Sequence, residues 1–340
     1  MSDFDLLQYQ SQAVSELAGI IHTDKIPNAL LFSGPANTGR KQAAFLFAKG
    51  CNCLENQDTG CSTCRSCIKI DKGAHPDILS IGPEEGKKNI SIAQIRKIGL
   101  AIASRPNEAK YRMVLILNAD MMNLQAQNAL LKMLEEPPEK TFFILIADQV
   151  SSLLPTIISR CRKFRFRPLT DRQIENLIIN KLGTDRELAC IAAGTAGSDL
   201  EKAMSFLESD SSSSTIPWVE KRKKILGIFV QILDGRPSEN TVKALTLSRL
   251  LSLVPTDVEN NLAILRTFIR DIMIFRFSPE KIVNLDFSGT FSDIVQVSSQ
   301  QTVSAWIEEL FETEKRIRAN SALRLALDRF FLKIAMDTGK

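Results

Sequence analysis

Two short stretches of this 340-residue chain carry residue types that could do chemistry. The first is Gly34–Lys41, GPANTGRK, directly after the apolar run Ala29, Leu30, Leu31 and Phe32. A strand, a glycine-rich turn and a helix N-terminus together aim backbone N–H groups at an anion. The spacing of Gly34 and Gly39 fits the phosphate-binding pattern G-x-x-x-x-G-K-[ST]. In that pattern the lysine holds the β- and γ-phosphates and the hydroxyl holds Mg²⁺. Here the two positions are Arg40 and Lys41. Arginine is planar and bulkier than lysine and does not replace it at a tight phosphate site. Lys41 cannot ligate a metal, and one step along a helix turns a side chain by about 100°. The loop therefore keeps its shape and loses its chemistry. An ordinary strand–turn–helix connection is the plainer alternative.

A nucleotide hydrolase of this kind also needs an acidic residue at the end of a later strand, to hold Mg²⁺ and polarise water. The matching apolar run is Met113–Leu117, and the positions where Asp-Glu is expected hold Leu117 and Asn118. Asp120 falls two to three residues late, on the following turn. Two separate halves of one ATP site are thus disabled, and no ATP hydrolysis by this chain is expected.

The second stretch is a cysteine cluster. Five of the seven cysteines lie between Cys51 and Cys67. Cys53, Cys61, Cys64 and Cys67 form C-x7-C-x2-C-x2-C, and x2 spacing lets neighbouring sulfurs converge on one tetrahedral Zn²⁺. Four thiolates leave no open position, so such a metal is structural. An Fe–S cluster is the other metal reading, and stray core cysteines the plainest one. Cys51 competes with Cys53 for the first ligand position. His75 is a further possible ligand, although a loop or packing role suits it better. Arg160, in Ile158-Ser159-Arg160-Cys161, offers a fixed positive fork suited to a phosphate. Taken alone it reads as a surface or ion-pairing residue, and Cys161 as a small buried hydrophobe.

These residues need a scaffold, and the hydrophobic pattern supplies one. Strand-like runs at Ala29–Phe32, Ile78–Ile81, Met113–Leu117 and Phe142–Ile146 alternate with helical patterns at Arg40–Lys49, Ile92–Ser104 and Leu124–Glu135. Alternation of this kind argues for an α/β domain with a parallel sheet covered on both faces. Near Pro168 the pattern becomes helical. It stays so to about Phe206, with a turn at Ala193–Ser198, then crosses the polar stretch Glu208–Thr215, ESDSSSST, which reads as a linker. From Pro217 to the end the chain is mainly helical, with breaks at Gly235–Pro237, Pro255 and Phe277–Gly289. The divisions expected are 1–168, 169–208, a linker at 209–216, and 217–340. The formal net charge of +4 is too small for a chain that grips nucleic acid by a strongly basic face. Lys221, Arg222, Lys223 and Lys224 make a short basic run that reads as a solvated helix face. No apolar run reaches a membrane-spanning length, the first residues lack a secretory pattern, and a cytoplasmic location is expected.

Taken together, the motifs identify a family. The chain resembles the bacterial clamp loader of the replicative DNA polymerase, within the AAA+ superfamily. The resemblance runs over nearly the whole chain: IPNALLFSGP before the loop, the cysteine module after the loop helix, AHPDI, NALLKMLEEPP at Asn128–Pro138, TFFIL, SRC at Ser159–Cys161, and NSALRLALD at Asn320–Asp328. It implies an AAA+ P-loop-type parallel sheet domain with a zinc module inserted at about 51–67. A small helical lid and an all-α C-terminal collar that mediates oligomerisation would follow. It places the first zinc cysteine on Cys53. Within the family the gamma or tau subunits keep the lysine, the hydroxyl and Asp-Glu. The losses at Arg40, Lys41, Leu117 and Asn118 resemble its delta-prime branch. Glu201 stands where the family's nucleotide-sensing lid arginine falls. The resemblance also changes the reading of Arg160, which in clamp loaders reaches across an interface to the ATP of a neighbouring subunit. The partners it implies are the gamma or tau ATPases, the delta subunit, the sliding clamp and primed DNA. ATP would be bound by the neighbours, and Zn²⁺ by this chain. The alternative is an ATP-hydrolysing gamma/tau-type subunit or another AAA+ motor.

Overall fold

The computed structural model describes residues 7–55, 58–87, 89–208, 217–234, 237–319 and 321–337. The chain divides into two compact units, Met1–Leu169 and Thr170–Lys340.

The first unit runs α1 (Ser11–Thr23), β1 (Ala29–Ser33), α2 (Arg40–Asn52), α3 (Arg65–Asp71), β2 (Ile78–Ile81), α4 (Ile92–Ala101), β3 (Arg112–Ile116), α5 (Leu124–Glu135), β4 (Thr141–Ala147), α6 (Pro155–Arg160) and β5 (Arg162–Arg165). Its sheet has the order β2-β3-β4-β1-β5, with every pairing parallel. Strands β1, β3 and β4 are largely apolar because each feeds two cores. Leu30 and Phe32 of β1, Met113 and Leu115 of β3, and Ile144 and Ile146 of β4 join residues of α1 and α2 on one face. The alternate residues Ala29, Leu31, Val114, Ile116, Phe143 and Leu145 join α4 and α5 on the other. A period of two and burial on both faces produce this pattern.

The sequence reading finds α5 at its observed bounds and misses β5. The segment Arg162-Lys163-Phe164-Arg165-Phe166-Arg167 is charged at four of six positions, unlike a buried strand. It needs only one apolar face because it lies at the sheet edge. Phe164 pairs with Phe32 in the ladder, and the rings of Phe164 and Phe166 lie 5.5 and 5.3 Å from that of Phe32. Strand β3 also starts and stops one residue earlier than expected, so Leu117 falls just beyond it.

The second unit is helical: α7 (Asp171–Leu182), α8 (Arg186–Ala196), α9 (Leu200–Leu207), α10 (Trp218–Asp234), α11 (Pro237–Ser252), α12 (Val258–Phe275), α13 (Ser288–Val297), α14 (Gln300–Arg318) and α15 (Leu323–Asp337). The turn expected at Ala193–Ser198 begins only at Gly197, and a further break separates α7 from α8 at Gly183–Asp185. The linker expected at 209–216 lies outside the described residues, as does Asn320 of the last motif. The segments read as lid and collar pack within this one unit. Phe206 stacks on Trp218 at 4.5 Å, and a β-carbon on Gly194 of α8 would approach Val283 to 2.5 Å. The basic run at 221–224 is a solvated face only in part, at the exposed Lys223 and Lys224. Arg222 is buried, with its guanidinium on Asp286 at 2.7 and 2.8 Å and on Asn284 at 2.6 Å, and Lys221 pairs with Asp257.

Candidate functional site

The glycine loop follows β1 and ends at α2, with Gly39 as the helix N-cap in the left-handed region at φ 89°. Gly34 has a reason to be glycine that involves no phosphate. A β-carbon there would stand 2.3 Å from the Phe166 carbonyl oxygen, just past β5. Arg40 is buried at 6% exposure, and its Nη2 meets Asp148 Oδ1 at 2.5 Å, just past the end of β4. Its Nη1 is buried and has no hydrogen-bond partner among the described residues. The position that holds lysine in an active loop is therefore occupied by a cation already neutralised from within the fold. Lys41 is exposed and lines a surface depression with Gln42, Phe45, Asp71 and Lys72.

Past β3, Leu117 packs against the core and Asn118 turns the chain at φ 53°. Asp120 sits on the next turn, and its carboxylate accepts the N–H groups of Asp148 and Gln149, each at 3.3 Å. It braces the end of β4, the same end that holds Arg40. Glu201 lies exposed in the first turn of α9.

Arg160 is the last residue of α6 and is 37% exposed. Its Nη2 pairs with Glu135 Oε1 at 2.6 Å, at the end of α5, and its Nη1 donates to the Thr156 carbonyl at 2.9 Å. Cys161 beside it is buried, and burial pushes its thiol up to about 12.

The four cysteines converge. The Sγ atoms of Cys53, Cys61, Cys64 and Cys67 all lie within 4.8 Å of one another. A tetrahedral Zn²⁺ with about 2.3 Å bonds holds its sulfurs about 3.8 Å apart, so the set fits such an ion with little adjustment. Cys53 ends α2 and Cys64 caps α3, which also carries Cys67. Backbone N–H groups already point at the sulfurs. Cys64 N donates to Cys61 Sγ at 3.2 Å, and Cys67 N to Cys64 Sγ at 3.5 Å. Hydrogen bonds from the Thr63 hydroxyl, then from the Cys64 and Thr63 N–H groups, lower the Cys61 thiol to about 6. Burial pushes Cys67 up to about 12. A divalent cation among the four would remove that conflict, because it favours the thiolate at every position. Cys51 is not part of the group. It faces the core between α2 and the sheet, where burial pushes it up to about 12.

Lys49 and Gly60 shape this module from the side of α2. Lys49 is buried, with Nζ 2.8 Å from Asp71 Oδ1 on α3 and 3.5 Å from Ser62 Oγ in the turn between Cys61 and Cys64. A β-carbon on Gly60 would lie 2.6 Å from the Lys49 β-carbon and 3.3 Å from Cys67 Sγ, and Gly60 has φ 76°. His75 is not a ligand among the described residues. Its Nδ1 accepts the Asp77 N–H at 3.1 Å, its Nε2 lies 3.4 Å from Ser66 Oγ, and burial lowers its pKa.

Asp77 is the group the sequence reading missed. Its carboxylate is fully buried and accepts the N–H groups of Asn107, Glu108 and Ala109 at 2.8–3.0 Å. It also pairs with Arg112 Nη2 at 2.8 Å. Burial alone would raise its pKa, but the three N–H donors and Arg112 outweigh it and bring it to about 2. The signal was present as the Asp of AHPDI, but nothing local to that motif announces Arg112.

The parallel β2-β3-β4-β1-β5 sheet, flanked by helices and with a glycine loop between β1 and α2, defines a P-loop-type α/β domain. Comparison with known proteins makes this more specific. Residues 9–170 match the family model described as DNA polymerase III, delta subunit. Over 331 residues the chain is 28% identical to DNA polymerase III subunit delta-prime of Bacillus subtilis, covering 97% of each chain. It is also 28% identical to subunit tau of the same organism, over 97% of this chain and 61% of that one. It is 36% identical to subunit delta-prime of Pseudomonas aeruginosa, over 46% of this chain and 47% of that one. Over nearly its whole length the chain is thus similar to a bacterial DNA polymerase III delta-prime subunit, and over its first half the similarity to such subunits is stronger.

Proposed function

We propose that this chain is the non-hydrolysing delta-prime subunit of a clamp loader, and that it lends Arg160 to the ATP site of a neighbouring gamma or tau subunit. The observation that carries this reading is the contrast between Arg40 and Arg160. Arg40 is buried against Asp148 where the chain's own phosphate site would be. Arg160 stands at the end of α6, partly exposed and held, among the described residues, by Glu135 and the Thr156 carbonyl. An arginine supplied in trans stabilises the charge that develops on a transferred phosphoryl group. Losing the cis site does not disturb that role, because the two serve different nucleotides. Leu117 cannot hold Mg²⁺ and Asn118 cannot accept a proton, which argues against an ATP-hydrolysing gamma/tau-type subunit.

In this reading the helices of the second unit join the other subunits, delta among them, in a ring. ATP bound by the neighbours holds the sliding clamp open around primed DNA, and hydrolysis releases it closed. Cys53, Cys61, Cys64 and Cys67 hold one Zn²⁺, which supplies folding energy to the module between α2 and α3. With four protein ligands it takes no part in chemistry.

The test combines the purified chain with its cognate ATPase and delta subunits and measures clamp- and DNA-stimulated ATP turnover. The isolated chain should show none, and Arg160→Ala should remove most of the assembled activity. Ordinary turnover by the isolated chain refutes the inert reading, and full activity with Arg160→Ala refutes the trans role. Metal analysis should give about one Zn²⁺ per chain, lost in Cys64→Ser.

A further inference from the structure

The altered loop is tied to the end of β4, and that tie leads toward Arg160. Ser33 of β1 pairs with Ala147 of β4, so the glycine loop and Asp148 leave the sheet side by side. They do so at the carboxyl ends of the strands, where open α/β sheets bind their ligands. In the intact phosphate-binding pattern, position 40 is a lysine that reaches the phosphates. Here Arg40 turns to Asp148 instead, with 2.5 Å between Nη2 and Oδ1. Asp148 begins the segment that carries Arg160. The N–H groups of Asp148 and Gln149 donate to the Asp120 carboxylate. Gln127 of α5 is buried and fixes the middle of the segment. Its Nε2 donates to the Ser152 carbonyl at 3.0 Å, and its Oε1 accepts the Leu154 N–H at 2.8 Å. Leu154 precedes α6 as its N-cap, Ile157 of α6 is fully buried, and Arg160 ends the helix. Of these ties, the one from Arg40 comes from the chain's own phosphate loop.

We infer that Arg40 stands in for a bound nucleotide. It ties the glycine loop to Asp148 permanently, and so holds α6 and Arg160 in one position whatever the nucleotide supply. Arg40 is then a positioning residue for the trans arginine, and this role rests on the trans reading of Arg160 given above.

Stability alone does not account for the pair. Arg40 is 6% exposed, and its Nη1 has no partner among the described residues. A buried ion pair gains little over apolar side chains of similar volume, and an unpartnered donor lowers that gain further. What apolar packing does not supply is direction. A guanidinium–carboxylate contact fixes the two groups in register as well as in proximity. Asp148 is bonded from two sides, by Arg40 through its carboxylate and by Asp120 through its N–H, and it leads into the segment that Gln127 pins to α5. A guanidinium already neutralised from within the fold needs no phosphate, so the tie does not come and go with ATP.

The test has two arms. The first follows backbone amide exchange across residues 148–160 in the full chain. Wild-type exchange should be the same with and without millimolar ATP and Mg²⁺. In Arg40→Met it should be about tenfold faster, the order expected for loss of one charge-assisted hydrogen bond. A wild-type segment that ATP protects, or an Arg40→Met segment that exchanges at the wild-type rate, overturns the inference. The second arm measures ATP turnover in the complex assembled with the cognate ATPase and delta subunits. Arg40→Met should lower kcat by about 10- to 100-fold, as a displacement of about 1 Å at a reacting centre does. In an Arg160→Ala background the same substitution should change turnover by less than about twofold, because the arginine it positions is gone. Unchanged turnover in Arg40→Met overturns the positioning role. So does an equal fall in both backgrounds, which marks a general loss of fold or assembly. If Arg160→Ala itself leaves turnover intact, the trans reading fails. A loss with Arg160→Ala and none with Arg40→Met refutes the role of Arg40 alone.

Discussion

Three arginine–carboxylate pairs in the first unit have the same chemistry and very different surroundings. Arg112–Asp77 is sealed, at 3% and 0% exposure, and Asp77 has every lone pair directed at a donor. Arg40–Asp148 is half-sealed: the arginine is buried and the carboxylate reaches water. Arg160–Glu135 is open on both sides. Burial decides what each pair can do. A sealed pair resists disruption, because removing one partner strands a charge in low dielectric. An open pair costs little to separate. Arg160, whose pair is open, is the cation that the proposed function assigns to another subunit's phosphate.

The strongest way to break this comparison is Arg160→Ala in the assembled complex. Trans arginines contribute roughly 10³–10⁵ in rate in related NTPases, about 4–7 kcal/mol of transition-state stabilisation. Turnover of the neighbouring site should fall by that order, with the chain's own unfolding midpoint unchanged. Next in size is Asp148→Ala, which leaves Arg40 buried and unpaired. Its cost should approach about 3 kcal/mol, the low end for a broken buried pair because Asp148 reaches solvent. Chemical denaturation measures it. An apolar replacement, Arg40→Met, should cost much less, since it removes the charge instead of stranding it. Equal costs for the two variants would show that Arg40 is held by something other than Asp148.

How much of this could be seen in the sequence depended on range. The cysteine module was legible because its ligands lie within fifteen residues and C-x2-C spacing constrains where sulfurs point. Helix α5 was legible for the same reason, its apolar period and its Asn123 cap being local. That Arg40 and Lys41 stand where the phosphate-loop pattern has lysine and a hydroxyl was legible, but the fate of Arg40 was not, because its partner lies 108 residues away. Asp77 and Arg112 are separated by 35 residues, and no pattern in either neighbourhood names the other. Strand β5 was missed for a different reason. Its ladder partner β1 buries both faces, whereas β5 needs only Phe164, so a charged alternation stood where an apolar run was sought.

Asp77 offers a smaller effect with a defined sign. Its folded pKa, about 2, lies below the ordinary carboxylate value of about 3.9. It therefore contributes stability that is fully present above about pH 4 and lost as pH falls through about 2. The shift corresponds to about 2 kcal/mol. A carboxyl-detected NMR titration of the folded chain should place its midpoint near pH 2. A midpoint at the ordinary value would show that the three N–H donors and Arg112 do not hold the charged form, and the sealed end of the comparison would be lost.

The smallest effect is the most discriminating. Glu135→Gln removes the charge that holds Arg160 and keeps the shape of the side chain. Both partners are about half exposed, so stability should change by less than about 1 kcal/mol. If Glu135 only holds the arginine until a phosphate replaces it, turnover in the assembled complex should move by less than about fivefold. If Glu135→Gln instead abolishes turnover as Arg160→Ala does, then Glu135 belongs to the working site and orients the arginine toward the phosphate. The open pair would then be as indispensable as the sealed one, and exposure would no longer separate a structural arginine from a functional one.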